Sequence, residues 1–191
     1  LKQEYSGIEV FYQSVDLGQK EEVYGFAQAV KVRWKKVDVL INNAGWFSQG
    51  EMLEEGDEVM EDMMKINFFA PYYLTKALVA GMLEQGGGHI FNVCSIASRR
   101  AYPGSGAYTT TKFALYGFTR SLREDLKGKN IRVTAVLPGA TWTNSWAGAS
   151  LPEDRLMPPE AVAQAIYNAA AMPGSAVVEE IVLRPQEGDL M

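Results

Sequence analysis

The sequence predicts an α/β fold: a doubly wound parallel sheet with helices on both faces, in a single domain over residues 1–191. Three observations carry it. Short β-branched and aromatic runs alternate with longer segments of helical periodicity, at the spacing of strand–helix–strand units. The run at 37–42 is nearly all apolar, as a strand covered on both faces must be. The peculiar segments Asp16-Leu17, Asn43-Ala44-Gly45, Ser95 and Pro138-Gly139 each follow a strand. They should therefore meet at the carboxyl edge of the sheet, where such sheets bind ligands.

Residues 7–15 read as a strand from their β-branched and aromatic content. Residues 16–36 are helical, with Val23, Phe26, Ala27, Val30 and Trp34 on one face. Strand 37–42 runs into the small-residue turn. A long helix is expected over 59–85, bent at Pro71 and stopped by Gly86-Gly87-Gly88. A strand at 89–94, a helix at 107–126 and a strand at 131–137 follow. The stretch 138–158 is loop. A helix at 159–171 has proline in its first turn, and a last strand covers 176–183. No repeat, low-complexity tract or linker interrupts this order.

Composition narrows the function. Hydrophobic residues make up 47% and charged residues 21%, enough for a full core and against disorder. The net charge of −5 argues against non-specific binding to nucleic acid or to anionic membranes. Cys94 is the one cysteine, which excludes an intrachain disulfide and a cysteine-based metal site. A Ser-His-Asp triad could use only His89. The first residues, Leu1-Lys2-Gln3-Glu4-Tyr5, do not resemble a signal segment, and 68–83 is too short and too polar to span a bilayer. A soluble, cytoplasmic protein is the expectation.

Tyr108 and Lys112 lie four apart on one helical face. A free tyrosine is a poor acid–base group at neutral pH. A cation held beside it in a site of low dielectric favours the phenolate. A tyrosine so placed can give a proton to a carbonyl oxygen or take one from an alcohol. Spacing alone is weak, because Tyr72 and Lys76 share it and either pair could be a plain surface contact. The neighbourhood separates them. Ser95, just past a strand, begins the loop that leads to Tyr108, so two hydroxyls can converge on one oxygen. The same step back from Tyr72 reaches Val59, which has nothing to offer.

In order and spacing, Asp16-Leu17, Asn42-Asn43-Ala44-Gly45, Asn67, Ser95, Tyr108 with Lys112, and Pro138-Gly139 followed by Thr143 resemble the short-chain dehydrogenase/reductases. The resemblance implies a Rossmann-like three-layer α/β/α fold and hydride transfer between a nicotinamide cofactor and a ketone, aldehyde or alcohol. It implies Tyr108 as general acid/base, Lys112 as the residue that favours its phenolate and binds the nicotinamide ribose, and Ser95 as holder of the substrate oxygen. Asn67 would anchor a water that connects Lys112 to solvent. Asp16 and Leu17 would meet the adenine. Asn43, Ala44 and Gly45 would line the adenosine ribose. Pro138, Gly139, Thr141 and Thr143 would contact the nicotinamide end. The cofactor would be NADP or NAD, with NADP slightly favoured, and no metal is implied. The family also assembles through two long helices, here 59–85 and 107–126, so a homodimer or homotetramer is expected.

The C-terminal third, including Met157-Pro158-Pro159-Glu160 and the 177–185 run, is similar to the bacterial sepiapterin-reductase-like branch. A ketone on a pteridine side chain is the substrate this suggests, and a 3-oxoacyl thioester is the alternative. A non-catalytic dinucleotide-binding scaffold is the rival of another class. Nothing in these residues matches the family's first two strands and their Gly-rich turn, so about 45 residues lack a counterpart here. Without those strands the sheet would carry a gap wider than usual by about 10 Å. The expectation is that the natural protein has them.

Other residues have plainer readings. His89 reads as structural, Cys94 as a small buried side chain, and Met60, Met63 and Met64 as core or interface. Arg99-Arg100 reads as a solvated pair that could also meet an anion. Tyr102, Trp142 and Trp146 are the candidate substrate contacts beside Ser95. The two tryptophans could equally pack a lid.

Overall fold

The computed structural model describes residues 7–143, 146, 151–152 and 155–189. The reading of residues 1–5 falls outside them, as do positions 144–145, 147–150 and 153–154 of the long loop. Four parallel strands form one sheet in the order β1 (Val39–Asn42), β2 (Gly88–Val93), β3 (Ile131–Pro138), β4 (Glu180–Leu183). Helix α1 (Lys20–Arg33) precedes β1. Between β1 and β2 come α2 (Asp57–Met64), a π-helical turn (Lys65–Phe69) and α3 (Ala70–Glu84). A short 3-10 turn (Ile96–Ser98) and α4 (Gly106–Leu126) join β2 to β3, and α5 (Pro159–Ala170) joins β3 to β4.

Strand alternation sends side chains to two faces. On one face Ala27, Val30, Leu78, Met82 and Leu126 pack on Leu40, Ile90 and Val133. Nearer the carboxyl edge, Leu115 of α4 packs on Ala135, Leu137 and Cys94. On the other face α5 covers Phe91 and Val136 with Ile166 and Ala169. Burying each of the valine, leucine, isoleucine, methionine and phenylalanine side chains among these contributes about 1.5–3 kcal/mol. Val39 and Ile41 pair in register with His89 and Phe91 but lie nearer the β1 edge, and they remain 43% and 45% exposed.

Three expected elements differ. Residues 7–15 form no strand and join no ladder among the described residues. Side chains hold them instead: Phe11 stacks on Phe26 and meets Trp34 edge-on, and Glu9 pairs with Arg33. A groove of about 390 Å³ between α1, α3 and β1 is lined by Phe26, Val30, Trp34, Val39, Leu74 and Leu78. The final strand is shorter than expected, since only Glu180–Leu183 are in the ladder with β3.

The long helix is not a single bent rod. Its break comes at the π turn, before the proline. Pro71 has no N–H to give to the carbonyl of Asn67 four residues earlier, and its ring would crowd that carbonyl. Widening the turn relieves this, and Pro71 then occupies the first turn of α3, where a missing N–H costs nothing. The helix stops where expected, with Gly86 at φ 92°. Among the described residues, no helix is long and apolar enough to cross a membrane, and no His/Cys/Asp/Glu group could hold a metal ion.

Candidate active site

A buried polar chain underlies the carboxyl edge of the sheet. Asn42 Nδ2 donates to Asn92 Oδ1 at 2.7 Å and to Thr75 Oγ1 at 3.0 Å. Asn92 Nδ2 donates to Thr119 Oγ1 at 2.9 Å, and that hydroxyl donates to the Leu115 carbonyl at 2.7 Å. Asn42 and Asn92 are register partners in β1 and β2, so the chain ties α3, both strands and α4 together. Every member is buried, and the named donors all have partners, as burial of polar groups requires.

Lys112 emerges from α4 just above this layer. It is 4% exposed, donates to the Val93 carbonyl at the end of β2 at 2.8 Å, and places Nζ 5.6 Å from the centre of the Tyr108 ring. The Tyr72–Lys76 pair has almost the same separation, 5.7 Å, but Lys76 is exposed. Water screens the second cation and not the first. Two of the three N–H donors of Lys112 remain for a ligand.

Asn67 is fully buried in the π turn. Its Oδ1 accepts from Trp46 N at 2.7 Å, and its Nδ2 donates to Trp46 O at 2.8 Å and to Thr111 Oγ1 at 3.0 Å. Thr111 Oγ1 in turn donates to the Tyr108 carbonyl at 2.8 Å. The side chain thus clamps the loop after β1 to the helix that carries Tyr108 and Lys112. A Cβ on Gly45 would come within 3.3 Å of Asn67 Oδ1 and 3.4 Å of Lys112 Nζ, so glycine lets this backbone lie against both. Asn43, Ala44 and Gly45 are exposed along that ledge.

Ser95 follows β2 with extended backbone and is 8% exposed. Its Oγ accepts from Ala97 N at 3.1 Å, while its own N–H donates to Ser98 Oγ at 3.2 Å. The hydroxyl is oriented by this reciprocal cap and keeps its proton for another acceptor.

The remaining predicted residues separate into two groups. Asp16 Oδ1 accepts from Gly18 N at 2.8 Å, and the Asp16 carbonyl accepts from Gln19 N, so Asp16 starts the turn into α1, with Leu17 half-buried inside it. Pro138 ends β3. Gly139 N donates to Leu183 O at 2.7 Å, and a Cβ there would meet Pro185 Cδ at 3.2 Å. Close approach to the chain after β4 is therefore a reason for this glycine that involves no ligand. Thr141 Oγ1 donates to Gly139 O, Thr143 is exposed, and its carbonyl accepts from Trp146 N.

Of the predicted substrate contacts, Tyr102 donates to Asp189 Oδ2 at 2.9 Å, and the same carboxylate pairs with Arg184. Burial and this carboxylate both push the Tyr102 phenol above its ordinary range. Tyr102 is therefore held by the chain after β4. Trp142 is 40% exposed and its backbone is bonded to Met157. Trp146 is half-buried. Arg99 pairs with Glu180, while Arg100 is exposed and lies over the Tyr102 ring. Phe47 escaped the sequence reading. Its ring meets Tyr108 edge-on, centres 5.0 Å apart at 90°. The signal was an aromatic pair, Trp46-Phe47, in the loop that leaves the small-residue turn.

His89 and Cys94 lie beneath the site and serve packing. His89 Nε2 is 2.7 Å from Thr134 Oγ1, whose proton goes to the Val178 carbonyl, so Nε2 carries the hydrogen and Nδ1 is buried without a partner among the described residues. Burial, with Arg132 nearby, lowers the His89 imidazole to about 4. Burial raises the Cys94 thiol to about 11, so it is no nucleophile.

A family model described as short chain dehydrogenase matches residues 1–154. Sepiapterin reductase of Chlorobaculum tepidum is 33% identical over 178 residues, covering 93% of this chain and 73% of that protein. An alcohol dehydrogenase structure from the archaeon Thermococcus sibiricus, complexed with 5-hydroxy-NADP, gives a TM-score of 0.89 at 28% identity, over 100% of this chain and 80% of that one. A metagenomic short-chain oxidoreductase in complex with NADP gives 0.80 at 27% identity, over 95% and 76%.

Proposed function

The chain belongs to the short-chain dehydrogenase family, and from that premise we propose that it is an NAD(P)-dependent carbonyl reductase that uses Tyr108 to protonate a ketone or aldehyde oxygen. The observation that carries this reading is the burial of Lys112 against the Tyr108 ring, which the equally spaced Tyr72–Lys76 pair lacks. The dinucleotide supplies the hydride, and the protein supplies orientation and a proton. The exposed ledge at Asn43, Ala44 and Gly45 and the two free donors of Lys112 suit a ribose there. Ser95 would donate to the same carbonyl oxygen that Tyr108 protonates, and Lys112 would favour the tyrosinate left behind. Because the side chain of Asn67 is engaged with Trp46 and Thr111, a water relay would use its backbone carbonyl, which Pro71 cannot satisfy.

NADPH is the first cofactor to test, since the similar solved structures hold NADP or 5-hydroxy-NADP. A side-chain ketone on a pteridine is the first substrate, from the similarity to sepiapterin reductase, and a 3-oxoacyl thioester is the second. Tyr108 and Lys112 would serve both binding and catalysis; Asp16, Leu17, Pro138, Gly139, Thr141 and Thr143 would contact cofactor, and Tyr102, Trp142 and Trp146 would flank substrate. Exposed Phe69 and Phe113, on the π turn and α4, support self-association as a homodimer or homotetramer, and the acidic charge and single reduced cysteine suit the cytoplasm. The test is consumption of NADPH or NADH with a panel of ketones and aldehydes. Carbonyl-dependent oxidation is expected. A protein that binds the dinucleotide and reduces no member of the panel is a scaffold, and the proposal fails.

A further inference from the structure

Phe47 stands out because nothing in the proposed proton transfer requires it, yet its ring touches the Tyr108 ring and is 38% exposed. It is held in place from several sides. The Trp46 backbone before it is clamped at both N–H and C=O by Asn67. Further along the loop, Gly50 N donates to Gly104 O at 3.0 Å, and Gly50 bridges to Ser105. Met52 lies so close to Gly106 that a Cβ there would fall 2.8 Å from the Met52 Cβ. The loop on both sides of Phe47 is thus fastened, to Asn67 and to the start of the helix that carries Tyr108, and the ring lies against Tyr108 with part of its surface open.

We propose that Phe47 is a specificity-determining residue that makes the site select carbonyl compounds bearing a flat aromatic or conjugated group. This rests on the reading of Tyr108 as proton donor. A carbonyl that reaches the Tyr108 hydroxyl places one substituent near the ring that abuts Tyr108. A flat π-system can stack on or meet that ring edge-on, in the arrangements aromatic pairs prefer. A puckered aliphatic ring of equal size loses that geometry and keeps only the burial of apolar area.

The test compares acetophenone with cyclohexyl methyl ketone in the wild type, in Phe47→Leu and in Phe47→Trp. Leucine also removes the contact with the Tyr108 ring, but any resulting loss in proton transfer falls on both ketones and cancels in the ratio of kcat/KM values. The expected result is a wild-type preference for acetophenone that Phe47→Leu lowers by about two- to twelvefold, mainly through KM, and that Phe47→Trp keeps. A wild type with no aryl preference, or equal losses on both ketones in Phe47→Leu, overturns the proposal and leaves the carbonyl reductase reading standing. If neither ketone is turned over, dissociation constants of the two ketones in the presence of NADP decide it by calorimetry. Tighter aryl binding that Phe47→Leu abolishes supports the role of Phe47, and equal affinities overturn it.

Discussion

Lys112 and Lys76 sit at 5.6 and 5.7 Å from a tyrosine ring, and only the first is buried. A charge shielded from water acts on its neighbour about fourfold more strongly, at an effective dielectric near 20, than one that bulk water surrounds. Lys112→Met should therefore lower kcat by about a hundredfold or more, while Lys76→Met leaves it within about twofold. Steady-state kinetics of the two variants check this. An equal effect of both would remove the argument from burial. Spacing was legible in the sequence and burial was not, because burial of Lys112 depends on the end of β2 and the Asn67 clamp, which come from distant segments. Phe47 was invisible for the same reason, since its contact with Tyr108 spans 61 positions.

Between strands and helices, the Asn42–Asn92–Thr119 chain is the joint that holds the floor of the site level. Removing one member leaves a buried partner unsatisfied, at about 1–3 kcal/mol. Asn92→Ala should lower unfolding free energy by that amount in urea, against a surface control with no change. Gly139→Ala presses a methyl against Pro185 and the Leu183 carbonyl, so a loss of about 1–3 kcal/mol is expected even with no cofactor present. A melting-temperature deficit against the wild type that grows when cofactor is added would support the cofactor contact proposed for Gly139 as well, and no deficit without cofactor would contradict the packing role. Most elements were legible, because their apolar periodicity matches the faces they bury. The departures were at 7–15, at the π turn and in the last strand, which joins the ladder only over Glu180–Leu183. A strand at 7–15 needs a ladder partner that composition cannot reveal, and the turn is a compromise between Pro71 and the carbonyl before it.

The molecule as a whole should respond to acid through His89. Its imidazole titrates near 4 when folded, against an ordinary 6.5 when unfolded. Between those values the unfolded chain binds more protons, so stability falls as pH drops from 6.5 towards 4 and recovers as pH rises, by up to about 3 kcal/mol. Urea midpoints across that range check it, and His89→Gln should flatten the part of the slope this residue causes. The central claim, that Tyr108 beside the buried Lys112 protonates a carbonyl oxygen, rests on one phenol. The most direct measurement is NADPH-dependent ketone turnover by Tyr108→Phe, with NADPH affinity measured on the same sample. A fall in kcat of about a hundredfold or more with cofactor affinity nearly unchanged is predicted. Turnover near the wild-type rate would contradict the account, because among the described residues no other tyrosine has a buried cation against its ring.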